Sequence, residues 1–312
     1  MAREISIWEE ATRLDENVGG KSIAVLGEVG ANKSSLITGL AERALSMGER
    51  LIWHGKPIDQ WHQLKAEYPI RVHIPKGVKT EVLIQQRKRG GWTRDIREDR
   101  DDIELREYNG PVDVSRNLCR ALNVIYVPGI GGPWKEIFWT ILLYQLRGRP
   151  ETDWLHVTID ETQDIFPYVT DGVDYGLHPV ISGIFADTRK AYMNVIVTAH
   201  KDRFLHPAIR GTVPYLIQLQ NRDAAKGSPV TAKSVRALAL GEGYIEGRTP
   251  GGYKFSWFPF TIHSSLRDGT QVIASFADCD YVPHWTDGSL DRAHALLNEK
   301  AWRDIHPGEE TP

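Results

Sequence analysis

The chain has 312 residues, 41% of them hydrophobic and 25% charged, with a formal net charge of −3, which supports one large folded α/β domain or two modest ones and argues against a generally basic nucleic-acid coat. Two cysteines, Cys119 and Cys279, in no C-x-x-C spacing, exclude a disulfide framework and a cysteine metal cluster. No run reaches the ~18 apolar residues of a membrane span, and the first ten residues place Glu4, Glu9 and Glu10 where a secretory signal is apolar, so the expectation is a cytoplasmic protein without membrane insertion.

Taken in chain order, the first predicted element is an apolar strand, Ser22–Leu26, running into Gly27, Glu28, Val29, Gly30, Ala31, Asn32, Lys33, Ser34 and Ser35. A strand, a glycine loop and a helix opening on Lys-Ser is the layout of a phosphate-binding P-loop. In that pattern the loop N–H groups cradle phosphate oxygens, the lysine supplies a point charge and the hydroxyl binds Mg²⁺. Asn32 departs from the usual G-x-x-x-x-G-K-[ST] spelling, because glycine normally precedes the lysine. Asparagine is the side chain that most readily follows glycine into left-handed backbone, so the loop is still able to turn. A helix is predicted over Ser34–Ser46, with Leu36, Leu40 and Ala44 on one face and Gly48 closing it.

Strands follow at Arg50–Trp53, Ile70–Ile74 and Val124–Val127, and their alternation with helical segments predicts a mainly parallel sheet flanked by helices. Between them, residues 85–107 read as an exposed excursion. Arg87, Lys88, Arg89, Arg94 and Arg97 surround Gly90-Gly91-Trp92, and the sign then reverses over Glu98 to Glu104. The basic half is a candidate DNA-phosphate contact. A solvated hairpin explains it as well.

The next strand, Leu155–Ile159, ends in Asp160-Glu161. Parallel-sheet sites collect at carboxyl ends of strands, so these carboxylates should emerge beside the P-loop. Asp160, with Ser34, is the candidate Mg²⁺ ligand, and Glu161 the candidate base that polarises a water attacking the γ-phosphate of ATP. A further strand, Val195–Thr198, leads to His200; Thr198 and His200 are candidates to hydrogen-bond that phosphate or the water. Tyr215–Leu219 and a hairpin across Gly243–Pro259 complete the strands. A polar helix around Leu290–Trp302 begins a tail over residues 287–312, set apart from a P-loop domain over 1–286. Trp53, Trp61, Trp134 and Trp139 read as packing groups.

The stretch from Asp160 to Gln220, through Phe185-Ala186-Asp187-Thr188-Arg189-Lys190, Val195 to His200 and Leu205 to Arg210, with Leu238 to Gly243 beyond it, resembles the FtsK–HerA superfamily of DNA-pumping ATPases. His200 stands where that family carries a sensor glutamine. The resemblance spans about Ile23 to Phe260 and implies a RecA-like P-loop NTPase fold with a C-terminal β-hairpin and helical tail. It also implies ATP and Mg²⁺ as cofactors, and a homo-oligomeric ring, usually a hexamer, threading double-stranded DNA. Rings of this family set one subunit's arginine against the next subunit's γ-phosphate, and Arg189, with Arg210 in reserve, is the candidate. By analogy the compact chain is most like the viral and plasmid genome-packaging branch, acting in the host cytoplasm with a procapsid or a membrane portal protein as partner. The run Asp160-Glu161-Thr162-Gln163-Asp164-Ile165-Phe166-Pro167 is also similar to phage-assembly ATPases related to zonula occludens toxin. Two other readings stand beside these: a nucleotide-binding structural subunit with little or no hydrolysis, and an unrelated P-loop kinase or small-molecule ATPase.

Overall fold

The computed structural model describes residues 19–54, 61, 68–77, 80–88, 91–96, 103–127, 134–148, 154–167, 177–247, 252–257, 270–276 and 285–297. The first half holds β1 (Ser22–Leu26), α1 (Lys33–Ser46), β2 (Arg50–His54), β3 (Ile70–Pro75), β4 (Thr80–Lys88), β5 (Gly91–Ile96), β6 (Ile103–Tyr108), α2 (Pro111–Arg116), β7 (Leu122–Ile125) and α3 (Trp134–Arg147). The second holds β8 (Leu155–Ile159), α4 (His178–Asp187), β9 (Met193–Ala199), α5 (Pro207–Arg210), β10 (Tyr215–Gln218), α6 (Ala232–Arg236), β11 (Glu242–Glu246), β12 (Gly252–Ser256), β13 (Thr270–Phe276) and α7 (Ser289–Leu296).

Ten strands form one sheet in the order β12-β11-β10-β1-β9-β8-β2-β7-β3-β6. From β10 to β6 every neighbouring pair is parallel, and the β11–β12 hairpin closes one edge antiparallel. Helices cover both faces, so the central strands β1, β2, β8 and β9 are buried along their whole length and their sequences are near-continuous apolar runs. One face packs Ile23, Val25, Leu51, Trp53 and Ile196 against Leu36, Ile37, Leu40 and Ala41 of α1. The other packs Leu155, Val157, Ile159, Val195 and Val197 against Ile137, Phe138, Trp139 and Leu142 of α3, and against Ile181, Ile184 and Phe185 of α4. Trp53, Trp61 and Trp139 are fully buried, and Trp134 meets Trp285 edge-on at 5.4 Å between ring centres, so the tryptophans expected to pack do so.

Two differences from the sequence expectation have physical causes. The last residues of the excursion, from Ile103, lie in β6, which pairs in parallel with β3 from Ile103 to Tyr108 and so belongs to the main sheet; the earlier acidic residues lie outside the described residues. Glu104, Leu105, Arg106 and Glu107 are exposed on β6. Charges on an edge strand discourage pairing with other chains and also erase the apolar signal that marks a strand. In addition, the hairpin that is one reading of this segment is formed by β4 and β5, but β13 joins it into a separate three-stranded sheet. The C-terminal helix begins one residue earlier than expected, and Trp285, Ala293 and Leu297 sit in the same core as α3. Its expected end lies outside the described residues.

At the amino ends of the strands, Glu49 is almost wholly buried beside His156 and Asn194. Asn194 Nδ2 donates to Glu49 Oε2 at 3.1 Å, and His156 Nδ1 lies 3.8 Å from that oxygen, too far for a hydrogen bond. Burial pushes the Glu49 carboxyl up to about 7 against the pull of the Asn194 hydrogen bond, and burial takes His156 down to about 3. The contact is therefore not an ion pair at neutral pH. The folded-state value of Glu49 lies above its unfolded value, so its stabilising neutral form is fully present below pH 4.5 and is lost as pH rises through about 7. Glu49→Gln should remove that loss: thermal melting from pH 5 to 8 should show the variant gaining steadily on wild type, by about 3 kcal/mol at the upper end. Parallel melting curves at every pH would contradict this account.

Candidate nucleotide site

β1 delivers the glycine loop at its carboxyl end, between β10 and β9. The loop is tied to both neighbours, because Gly27 N donates to Ala199 O at 3.3 Å and Glu28 N to Gln220 O at 3.1 Å. Gly27 is required by space: a Cβ there would come within 3.0 Å of the Ala31 Cβ and 3.1 Å of the Leu219 Cβ. Gly30 takes φ 84°, Asn32 takes φ 61° and ψ 30°, and Val29 stands exposed at the tip. Asn32 thus occupies the left-handed region that glycine fills in the usual spelling. Asn32→Gly should leave nucleotide affinity and melting temperature close to wild type, whereas Asn32→Val, with a branched Cβ at positive φ, should cost about 1–2 kcal/mol in thermal melting. Equal stability of the two variants would mean the turn is not held left-handed.

Asn32 O accepts from Leu36 N at 3.1 Å, the first bond of α1. The amino end of α1, with its helix dipole, therefore faces the loop. Lys33 lies at the centre and is largely buried. Its Nζ donates to Gly27 O at 2.8 Å and to Glu28 O at 3.1 Å, and meets His200 Nδ1 at 3.1 Å. Burial lowers its pKa from the usual lysine value, and the charges of Asp160 and Glu161 oppose that shift.

The register of β8 on β9 pairs Ile159 with Val197, which brings Asp160 alongside Thr198. Thr198 Oγ1 donates to Asp160 Oδ1 at 2.6 Å, and Glu161 N donates to Thr198 Oγ1 at 2.9 Å and to Asp160 Oδ1 at 3.1 Å. The second Asp160 oxygen, Oδ2, accepts from Ser34 Oγ at 3.5 Å. Glu161 is exposed with φ 51° and ψ 61°, and opens a short turn, Thr162–Asp164, anchored by the buried Ile165 and Phe166. Ser34 and Asp160 converge as hard oxygen donors, a donor set that fits Mg²⁺. The structure changes one expectation: the single hydroxyl proton of Thr198 is spent on Asp160, so it is not available to a phosphate.

His200 meets Lys33 through its ring, and its carbonyl accepts from Asn221 Nδ2 at 2.8 Å. Sequence reasoning missed Asn221 and Arg222. Arg222 N donates to Glu28 Oε1 at 3.0 Å, so the segment after β10 braces the glycine loop. Their signal was only their place after an apolar strand. Arg189 and Arg210 are both exposed. The Arg189 carbonyl accepts from Gly20 N ahead of β1, and Arg210 precedes β10, whose first residue pairs with Ile23. Arg87 and Lys88 are on β4 and Arg94 is on β5; Arg89 and Arg97 lie outside the described residues. Among the described residues no helix is long and apolar enough to cross a membrane.

No family model and no curated protein matches the chain. Solved structures do. The plasmid coupling protein TrwB in complex with the non-hydrolysable ATP analogue ADPNP is similar over 90% of this chain and 96% of its own, at 10% identity and a TM-score of 0.51. The genome packaging NTPase B204 from Sulfolobus turreted icosahedral virus 2, in complex with ATP-gammaS, aligns over 76% of this chain and 97% of its own, at 14% identity and a TM-score of 0.45. The N-terminal domain of zonular occludens toxin from Neisseria meningitidis aligns over 78% and 97%, at 11% identity and a TM-score of 0.33. The parallel sheet of β10 to β6, its antiparallel β11–β12 edge and its glycine loop at the end of β1 are the RecA-like P-loop NTPase fold that TrwB shares and that the resemblance to the FtsK–HerA superfamily implied.

Proposed function

We propose that this chain is an ATP-hydrolysing DNA translocase of the FtsK–HerA superfamily, a motor that pumps double-stranded DNA through a homo-oligomeric ring in viral or plasmid genome packaging. The observation that carries the reading is the convergence of Lys33, Ser34, Asp160, Glu161 and His200 at the carboxyl ends of three adjacent strands, β1, β9 and β8. That set answers the needs of phosphoryl transfer: N–H groups and a lysine for the phosphates, hard oxygens for a metal, and a free carboxylate for a water. Mg²⁺ held by Ser34 and Asp160 would neutralise charge on the phosphate oxygens.

In this reading Lys33 leaves its carbonyl contacts for phosphate oxygens. Glu161, exposed and one residue beyond Asp160, accepts the proton of the attacking water. His200, beside Lys33, stands in the sensor position. Arg189 or Arg210, both exposed, acts on the next subunit, as the family resemblance implies. The DNA assignment draws on the family resemblance and on the fold shared with TrwB, a bacterial conjugative coupling protein. The basic segment supplies the phosphate contacts through Arg87 and Lys88 of β4 and Arg94 of β5, with Arg89 and Arg97 from the same stretch of sequence.

The experiment is ATP turnover with and without duplex DNA, at rising salt. Duplex DNA should stimulate wild type, and the stimulation should fall steeply with salt. Lys88→Ala combined with Arg89→Ala should lower it severalfold with basal turnover retained. Unchanged stimulation in that double variant would remove these residues from the DNA path, and no stimulation of wild type would contradict translocation.

A further inference from the structure

We infer that Thr198 is a positioning residue that selects which oxygen of Asp160 faces the metal side and holds Glu161 in its left-handed turn, so that β9 and the carboxylate pair move as one unit. The inference rests on the reading of this site as a nucleotide hydrolase.

A threonine hydroxyl has one proton and two lone pairs. In Thr198 the proton goes to Asp160 Oδ1 at 2.6 Å, and one lone pair takes the Glu161 amide at 2.9 Å. Asp160 Oδ1 accepts the Glu161 amide as well, at 3.1 Å, so this oxygen is committed to the scaffold. Its partner Oδ2 is left toward Ser34. Without the Thr198 proton only the longer bond from the Glu161 amide opposes rotation of the carboxylate, which exchanges the two oxygens. The Glu161 amide matters for a second reason: φ 51° is costly for a residue with a Cβ, and the turn persists only where the surroundings impose it. Thr198 has no solvent exposure, and a β-branched side chain on a strand has few χ1 choices. The hydroxyl is therefore fixed to β9, two residues before His200, which meets Lys33. A displacement of β9 at its His200 end is passed by two hydrogen bonds to the Asp160 carboxylate and to the Glu161 backbone.

Thr198→Val keeps the shape and deletes the hydroxyl, and Thr198→Ser keeps the hydroxyl. The valine variant should lose about 10- to 100-fold in kcat and need a higher Mg²⁺ concentration for half-maximal turnover, the scale on which partners that orient metal ligands act. Its affinity for a fluorescent ATP analogue without Mg²⁺ should stay within about twofold of wild type, and Thr198→Ser should recover most of the loss. Hydrogen exchange supplies a readout independent of turnover: the Glu161 amide should lose protection in the valine variant and keep it in the serine variant. If valine does not fold, Thr198→Ala is compared with Thr198→Ser by the same measurements. Wild-type kcat and Mg²⁺ dependence in the valine variant, or unchanged protection at Glu161, would overturn the inference. Absence of turnover in wild type would instead count against the hydrolase reading, and the exchange comparison would still decide the role of Thr198.

Discussion

Glu161→Gln should lower ATP turnover by about 10²- to 10⁴-fold, the range over which a positioned general base contributes, while Mg²⁺-dependent nucleotide binding persists. The structure gives the reason for separating the two effects. Glu161 is exposed and its carboxylate makes no bond that builds the loop, whereas its backbone is held by Thr198 and Asp160. Glutamine keeps the shape and the backbone bonds and loses the ability to take a proton. The variant should accumulate as a stable nucleotide complex, measurable by equilibrium binding beside steady-state hydrolysis. Equal turnover in variant and wild type would favour the nucleotide-binding scaffold over the motor.

Lys33→Ala should weaken nucleotide affinity by about 10- to 100-fold, because charge-assisted hydrogen bonds contribute about 1.5–3 kcal/mol. The structure adds a counterweight. The ammonium is bonded to Gly27 O and Glu28 O, and burial lowers its pKa. Part of what phosphate gains from Lys33 is spent breaking those bonds, and alanine leaves two carbonyls without that donor. A modest loss of stability should accompany the loss of affinity, seen as a lower melting temperature without nucleotide and a smaller upward shift with it. Full nucleotide-induced stabilisation in Lys33→Ala would place the phosphates elsewhere.

The central strands and the site were legible in the sequence because parallel strands buried on both faces must be apolar, and because their polar residues follow at their ends. Ser22–Leu26 and Leu155–Ile159 were delimited to the residue. Asn32 was read from its chemistry alone, and its left-handed backbone agrees. What the sequence hid depends on partners far away in the chain. Edge strand β6 carries charges in place of an apolar pattern, and β13 pairs with β4 almost two hundred residues earlier. Thr198 was expected to address phosphate or the attacking water, and only the register of β8 against β9 sets its hydroxyl proton on Asp160. Arg189 and Arg210 illustrate the same limit, since a role in trans depends on a second copy of the chain.

The most direct test of the central claim is steady-state Mg²⁺-ATP hydrolysis by the purified protein, with duplex DNA and without it. The account predicts turnover that DNA accelerates and that Glu161→Gln lowers by about 10²-fold or more. Nucleotide binding without hydrolysis under either condition would contradict it.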